Sequence, residues 1–164
     1  MRLERFKQGY PNLPRKYGVH GIIYLNHKSI GGSRVIYTLE SFWEPTKDEP
    51  NGALGRSCVN EGSYTVSVEE SPVTNKKYPF IFNESLGVAL RNKNNANNKT
   101  GHALVDLDVP DPLEIYGRFI VVGRTIEYDP RGFYYPQRRE EAVDMLNRYI
   151  EASGDKKLII GWKK

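Results

Sequence analysis

The chain has 164 residues, of which 38% are hydrophobic, enough to build the core of one domain. Its 24 basic and 20 acidic residues give a net charge of +4, and no run approaches the roughly 20 apolar residues that cross a bilayer. The single cysteine excludes an internal disulfide and any site with several cysteine ligands. Met1–Tyr10 alternates charged and apolar residues, unlike the apolar stretch of a signal peptide. We therefore expect neither Sec export nor a membrane-spanning segment.

Short apolar runs, broken by Gly, Pro and Asn, predict strands and turns up to about residue 126. The clearest is Ser63–Glu69, where Tyr64, Val66 and Val68 alternate with polar residues, which is typical of a half-buried strand. Gly18–Leu25 and Val35–Leu39 predict a hairpin. The other candidate strands are Pro79–Phe82, Val88–Leu90 and the fully apolar Phe119–Val122.

Two polar stretches, Glu44–Gly55 and the Asn-rich Asn92–Gly101, predict loops, the second of them mobile. One helix is predicted over Gln137–Ala152, started by Pro136 and ended by Gly154. Its apolar stripe has the spacing of one helical face and consists of Ala142, Val143, Leu146, Tyr149 and Ile150.

Leu158–Trp162 predicts a last strand after the helix. The sequence thus predicts an α+β fold, a β-rich single domain with one C-terminal helix packed on its sheet. We expect that sheet to be mixed or antiparallel and partly barrel-like. Residues 1–126 would form the β-rich core, and residues 127–164 an aromatic loop, the helix and the terminal strand.

Cys58 and His102 are the candidates for catalysis. Cys58 follows Arg56, and a neighbouring cation lowers the pKa of a thiol, but a lone cysteine also serves as a small buried residue. His102, with Asp106 and Asp108, could hold a metal, or the two aspartates could form the outward face of a strand or extended loop. Neither group forms a recognisable catalytic motif. We expect no working catalytic site, no metal and no cofactor.

An aromatic cluster precedes the predicted helix: Tyr128, Phe133, Tyr134 and Tyr135, with Arg131 among them. Aromatic residues interleaved with arginine are typical of protein interfaces and of surfaces that stack sugars or bases. The same residues could instead cover one end of the core. Both interpretations stay open.

Basic residues are in excess near the N-terminus, where only Glu4 opposes them before Glu40. Such a segment could attract nucleic acid or an acidic protein, or could simply be a solvated edge. No nucleic-acid-binding motif accompanies the charge, so nucleic acid is not the partner that we expect. The basic residues are Arg2, Arg5, Lys7, Arg15, Lys16, Lys28 and Arg34.

Several motifs resemble, in order and spacing, a small domain family of unknown function found in bacteriophages, prophages and bacteria. The most specific is Ser57–Tyr64, which is similar to the family's S-C-I-P-x-G-x-Y. The resemblance covers roughly residues 1–126, and most of it lies in the first 72. Its other motifs are Met1–Arg5, Gly21–Asn26, Tyr37–Glu40 with Trp43, and Ser71-Pro72.

The family continues with G-I-L-I/F-H-x-G-N and G-C-I-L-V/L-G, whose His and Cys look like the pair of L,D-transpeptidase-type enzymes acting on peptidoglycan. By this resemblance, Arg91 stands where the histidine would be and Arg118 where the cysteine would be. A guanidinium cannot act as a thiolate or as a base at neutral pH. The resemblance therefore implies a protein that has lost this chemistry.

Together these observations predict a non-catalytic phage structural or binding protein, a minor virion component on the capsid or tail, located in the virion or the host cytoplasm. Its partners would be other virion proteins, with Arg91 and Arg118 forming a basic patch for an acidic partner. One alternative is a peptidoglycan-acting transpeptidase or hydrolase used in phage entry or lysis. A third is a basic nucleic-acid-associated protein. The sequence does not indicate an oligomeric state.

Overall fold

A computed structural model describes residues 1–7, 18–43, 46–48, 50, 58–71, 75–88, 102–106, 119–128 and 134–164. These residues form strands, one α-helix and two short 3-10 helices, Lys28–Ile30 and Glu84–Leu86. The strands are β1 (Arg2–Phe6), β2 (Val19–His27), β3 (Gly32–Glu40), β4 (Gly62–Glu70), β5 (Lys77–Phe82), β6 (His102–Val105), β7 (Phe119–Gly123), β8 (Thr125–Tyr128), β9 (Tyr134–Gln137) and β10 (Lys157–Trp162), and the helix is α1 (Arg139–Ser153).

Eight of these strands close into a barrel in the order β1-β10-β4-β5-β6-β7-β3-β2, with β2 pairing back to β1. The β1–β10 and β6–β7 pairs are parallel, and the other neighbouring strands of the barrel are antiparallel. β8 and β9 form a separate two-stranded sheet. The prediction of a β-rich α+β fold with a mixed, barrel-like sheet is confirmed.

The barrel interior is filled by every second residue of its strands, as expected from the two-residue period of a strand. In β4, Tyr64 and Val66 are fully buried and Val68 packs against the same core, so the predicted alternation is confirmed. The predicted hairpin is also confirmed, since β2 and β3 pair along their whole length.

The helix α1 lies across one end of this barrel. It contacts β2, β4, β5, β6 and β7, which come from different sides of the barrel, and the 3-10 helix that follows β2. Its buried residues are the predicted apolar stripe, and Gly154 ends it in a left-handed conformation, as predicted. The start differs from the prediction, because Pro136 belongs to β9 and the helix begins at Arg139. We call this end of the barrel the helix end.

The hairpin of β8 and β9 was not predicted from the sequence. It packs on the outside of the barrel, where Tyr135 forms a small apolar cluster with Leu39 of β3 and Val121 of β7. Gly123 permits this close approach, since a Cβ there would lie 2.6 Å from the backbone oxygen of Gln137. The sequence 127–137 is therefore partly strand and not only an aromatic loop.

The remaining predictions meet the structure only in part. Of the predicted strand Val88–Leu90, Val88 forms an isolated bridge with Asn83, and residues 89–90 lie outside the described part of the chain. The loop predicted at Asn92–Gly101 also lies outside it, as does most of Glu44–Gly55. Among the described residues, no helix is long and apolar enough to cross a membrane.

Candidate functional site

Polar side chains collect inside the barrel at the end opposite the helix. β2 begins at this end, and its first residues pair with Phe6 of β1 and Glu40 of β3. β5 starts near the helix, where Asn147 of α1 donates to the Lys77 carbonyl, so the antiparallel β6 starts at the far end with His102. We call this the polar end; its described members are Arg5, Glu40, Cys58, Tyr64 and His102.

An ion pair between Arg5 and Glu40 forms the centre of the polar end. Arg5 Nε donates to Glu40 Oε2 at 2.9 Å, and Nη2 donates to Oε1 at 2.7 Å. Both residues are only 1% exposed. Burial alone would lower the pKa of Arg5, but the adjacent Glu40 carboxylate raises it above its ordinary value, so the guanidinium stays charged. Both carboxylate oxygens are therefore already engaged.

Local sequence makes room for this pair. Arg5 shares a face of β1 with the buried Leu3, and it lies opposite Gly21 of β2. A Cβ at Gly21 would come within 2.7 Å of Thr38 Oγ1 and 2.8 Å of the Glu4 carbonyl oxygen. Glycine at this position thus lets β1 and β3 approach each other beside the ion pair.

Cys58 and Tyr64 lie beside the ion pair. Cys58 is 2% exposed, and its backbone N–H donates to the Phe42 carbonyl at 3.2 Å. The Tyr64 hydroxyl donates to the Asn60 carbonyl at 2.6 Å, and burial raises the pKa of Tyr64 far above its usual range. The Arg5 guanidinium carbon lies over the Trp162 ring, 5.7 Å from the ring centroid. The thiol is thus buried beside the ion pair, as expected if the lone cysteine serves as a small buried residue.

His102 opens β6 on the interior side, opposite the buried Ile81, and is 8% exposed. Asp106 follows four residues later, about 13 Å away along an extended chain. Its carboxylate accepts from the Tyr78 hydroxyl at 2.9 Å and pairs with Lys76 at 3.5 Å. Asp108 lies outside the described residues.

The strand therefore keeps His102 and Asp106 apart, whereas the part of the metal-binding alternative that involves Asp108 is untested. In the part of the chain that the structure describes, no group of three His, Cys, Asp or Glu residues could hold a metal ion.

The two arginines expected at the family's His and Cys positions, Arg91 and Arg118, lie outside the described residues. The strand that follows Arg118 in the chain is described: β7 begins with Phe119 at the polar end, parallel to β6. That Arg91 and Arg118 form one basic patch stays a prediction.

The aromatic cluster divides into a surface part and a core part. Tyr128 is 62% exposed and meets the Tyr134 ring edge-to-face, with 5.1 Å between centroids. The Tyr135 side chain of β9 is buried against the barrel, and the Arg139 guanidinium carbon lies 5.5 Å from the centre of its ring. Tyr128 and Tyr134 are thus available for contact, whereas Tyr135 holds the hairpin on the barrel. Arg131 and Phe133 lie outside the described residues.

The basic N-terminal excess is smaller at the surface than the sequence suggests. Arg5 is neutralised inside the barrel, and Arg2 pairs with Glu4 at 3.3 Å. Arg15 and Lys16 lie outside the described residues. Two of the charges counted from the sequence therefore have carboxylate partners of their own, and the nucleic-acid alternative stays a prediction.

A groove along β2 and β3 was missed by sequence reasoning. It measures about 480 Å³ and combines aromatic, polar and cationic side chains. The only sign of it in the sequence was that large side chains occupy positions of these two strands that alternate with the core residues. Its lining is Tyr24, Leu25, Asn26, Ser33, Arg34, Val35, Tyr37 and Arg124.

Comparison with protein-family models, with curated proteins and with solved structures finds no match to this chain.

Proposed function

We propose that this protein is a non-catalytic binding module, a minor structural component of a phage particle attached to its capsid or tail. One observation carries the proposal: at the polar end, both oxygens of Glu40 are held by Arg5, and the thiol of Cys58 is buried beside them. The resemblance supports the same reading, since it aligns Arg91 and Arg118 with the His and Cys of the family.

Physical chemistry favours a structural role for this cluster. A nucleophilic thiol must meet its substrate and a base within hydrogen-bond reach. Cys58 is 2% exposed, and the nearby carboxylate is bound in a two-pronged ion pair. Such a pair fixes the relative positions of β1 and β3 because its geometry is satisfied in only one register.

A second candidate function is a peptidoglycan-acting transpeptidase or hydrolase. One observation favours it: His102 and Cys58 both belong to the polar end of the barrel. In this case substrate access to the thiol would require the polar end to open.

Incubation of the purified protein with peptidoglycan sacculi separates the two functions. We expect no released or exchanged muropeptides by mass spectrometry, and we expect the protein among the components of purified particles from cells that carry its gene. Muropeptide release that is lost in both Cys58→Ala and His102→Gln would establish the enzyme instead. Release that survives both substitutions would mean that a different site acts, and it would equally overturn the non-catalytic proposal.

A further inference from the structure

The N-terminal half of β3 is a sheet edge. β3 pairs with β2 from Gly32 to Glu40, but on its other side β7 pairs only with Tyr37 to Leu39. After Gly123 the chain leaves the barrel sheet and enters β8, which pairs with β9 in the separate sheet that packs on the outside of the barrel. Among the described residues, no strand pairs with Gly32–Ile36 on that side. We call this segment the β3 edge.

Two arginine side chains donate hydrogen bonds to backbone carbonyl groups of the β3 edge. Arg34 Nη1 donates to the Ser33 carbonyl at 2.8 Å, and Arg124 Nη1 donates to the Val35 carbonyl at 2.9 Å. Alternate residues of a strand direct their backbone groups to the same side. Ser33 and Val35 therefore face the side on which Tyr37 pairs with β7. The guanidiniums take the places that an added strand would fill.

The groove along β2 and β3 lies beside the same edge. Ser33, Arg34, Val35 and Arg124 line it, so the edge carbonyls and the groove form one continuous surface. Its floor includes Tyr24, which is 44% exposed. A strand added at the edge would place every second side chain over this groove.

The charge of the surface indicates the kind of strand that fits. An added strand would displace two guanidiniums from backbone carbonyls, and each would then need a new acceptor. Carboxylates on the incoming strand are the acceptors that match a guanidinium best. Two described carboxylates near this surface are already engaged: Glu4, beside Tyr24, pairs with Arg2, and Glu141, near Arg124, binds Arg138.

We propose that the β3 edge binds an extended, acidic segment of a partner protein as an added strand. Main-chain hydrogen bonds to Ser33 and Val35 give the register, while Arg34 and Arg124 select acidic side chains. This inference rests on the proposed role as a binding module and names the chemistry of its partner.

Binding of a labelled peptide of alternating valine and glutamate, followed by fluorescence anisotropy and by amide chemical shifts, tests the proposal. We expect saturable binding that shifts the amides of the β3 edge and weakens with added salt. A valine–lysine peptide, and the acidic peptide N-methylated at alternate residues, should bind about tenfold more weakly or not at all. Equal binding of either control peptide, or no shift at the β3 edge, overturns the proposal.

Arg34→Gln with Arg124→Gln should reduce the affinity of the acidic peptide about tenfold. The matched control, Arg148→Gln with Lys156→Gln, removes the same charge from exposed positions outside the groove and should leave the affinity unchanged. Self-association of the arginine variant without a change in peptide affinity would mean that the arginines only protect the edge, and it overturns the proposal.

These outcomes are independent of the proposed function, since they need no particle. Muropeptide release by a protein that binds the peptide would overturn the non-catalytic role alone. If the protein is found in particles but does not bind the peptide, only the proposal that the β3 edge binds an acidic strand is overturned.

Discussion

The two ends of the barrel are closed by different chemistry. At the helix end, α1 places an apolar stripe that includes Leu146 and Ile150 against strands from several sides. At the polar end, the interior contains the Arg5–Glu40 pair, with Cys58 and Tyr64 beside it. Apolar packing gains free energy without demanding one geometry, whereas a buried ion pair is stable only when its hydrogen bonds are complete. The helix end therefore supplies stability, and the polar end fixes strand position.

Breaking the ion pair should have the largest effect. Glu40→Ala leaves the Arg5 guanidinium buried without its carboxylate, which we expect to lower the free energy of unfolding by about 3–5 kcal/mol. Urea denaturation followed by circular dichroism measures the change.

The matched test replaces both partners, as Arg5→Met with Glu40→Leu. If the pair mainly sets geometry, the double variant should be more stable than Glu40→Ala, because no charge remains buried. A double variant no more stable than Glu40→Ala would show that the pair itself stabilises the barrel.

At the helix end, Leu146→Ala should cost about 3 kcal/mol, because it removes a fully buried side chain and leaves a cavity between α1 and the barrel. Asp144→Ala, at an exposed position of the same helix, should change stability by less than about 0.5 kcal/mol. Denaturant melts of the two variants check the difference. Equal effects would mean that α1 does not close this end.

The contrast between the ends explains what the sequence could predict. The helix stripe and the alternation of Tyr64 and Val66 are periodic signals, and the structure confirms both. Arg5 and Glu40 give no such signal. A charged residue is ordinarily predicted to lie at the surface, even where its neighbours on the same face of a strand are apolar. Their contact joins residues 35 positions apart and exists only once β1, β2 and β3 pair. The β8–β9 hairpin was missed for a similar reason, since its packing depends on Gly123.

Cys58 tests whether the polar end is closed in solution. Cys58→Ser should cost about 1–2 kcal/mol by burying a hydroxyl in place of a thiol, and Cys58→Ala, which adds no polar group, should cost less. In the native protein, the thiol should react with a chromogenic disulfide reagent about a hundredfold more slowly than in denaturant. Rapid native labelling would indicate that the polar end opens, and it would favour the enzyme function.

The smallest effect concerns the turn between α1 and β10. Asp155 Oδ1 accepts from the Lys157 N–H at 3.1 Å, and Oδ2 accepts from the Tyr149 hydroxyl at 3.0 Å and from the Met1 amino group. Partial burial opposes ionisation, but these donors outweigh it and hold the pKa of Asp155 below its usual value.

A depressed carboxyl pKa stabilises the fold above the unfolded-state pKa, and this contribution is lost as the pH falls through the folded value. Asp155→Asn should therefore be less stable than the unsubstituted protein at pH 7 by about 0.5 kcal/mol, since solvent screens a partly exposed group. The difference should shrink as the pH falls through the depressed pKa of Asp155. Thermal melts from pH 7 to pH 2.5 measure it, with Asp144→Asn, at an exposed position of α1, as the control. A difference that stays the same size from pH 7 to pH 2.5 would assign the effect to lost hydrogen-bond geometry and not to the charge of Asp155.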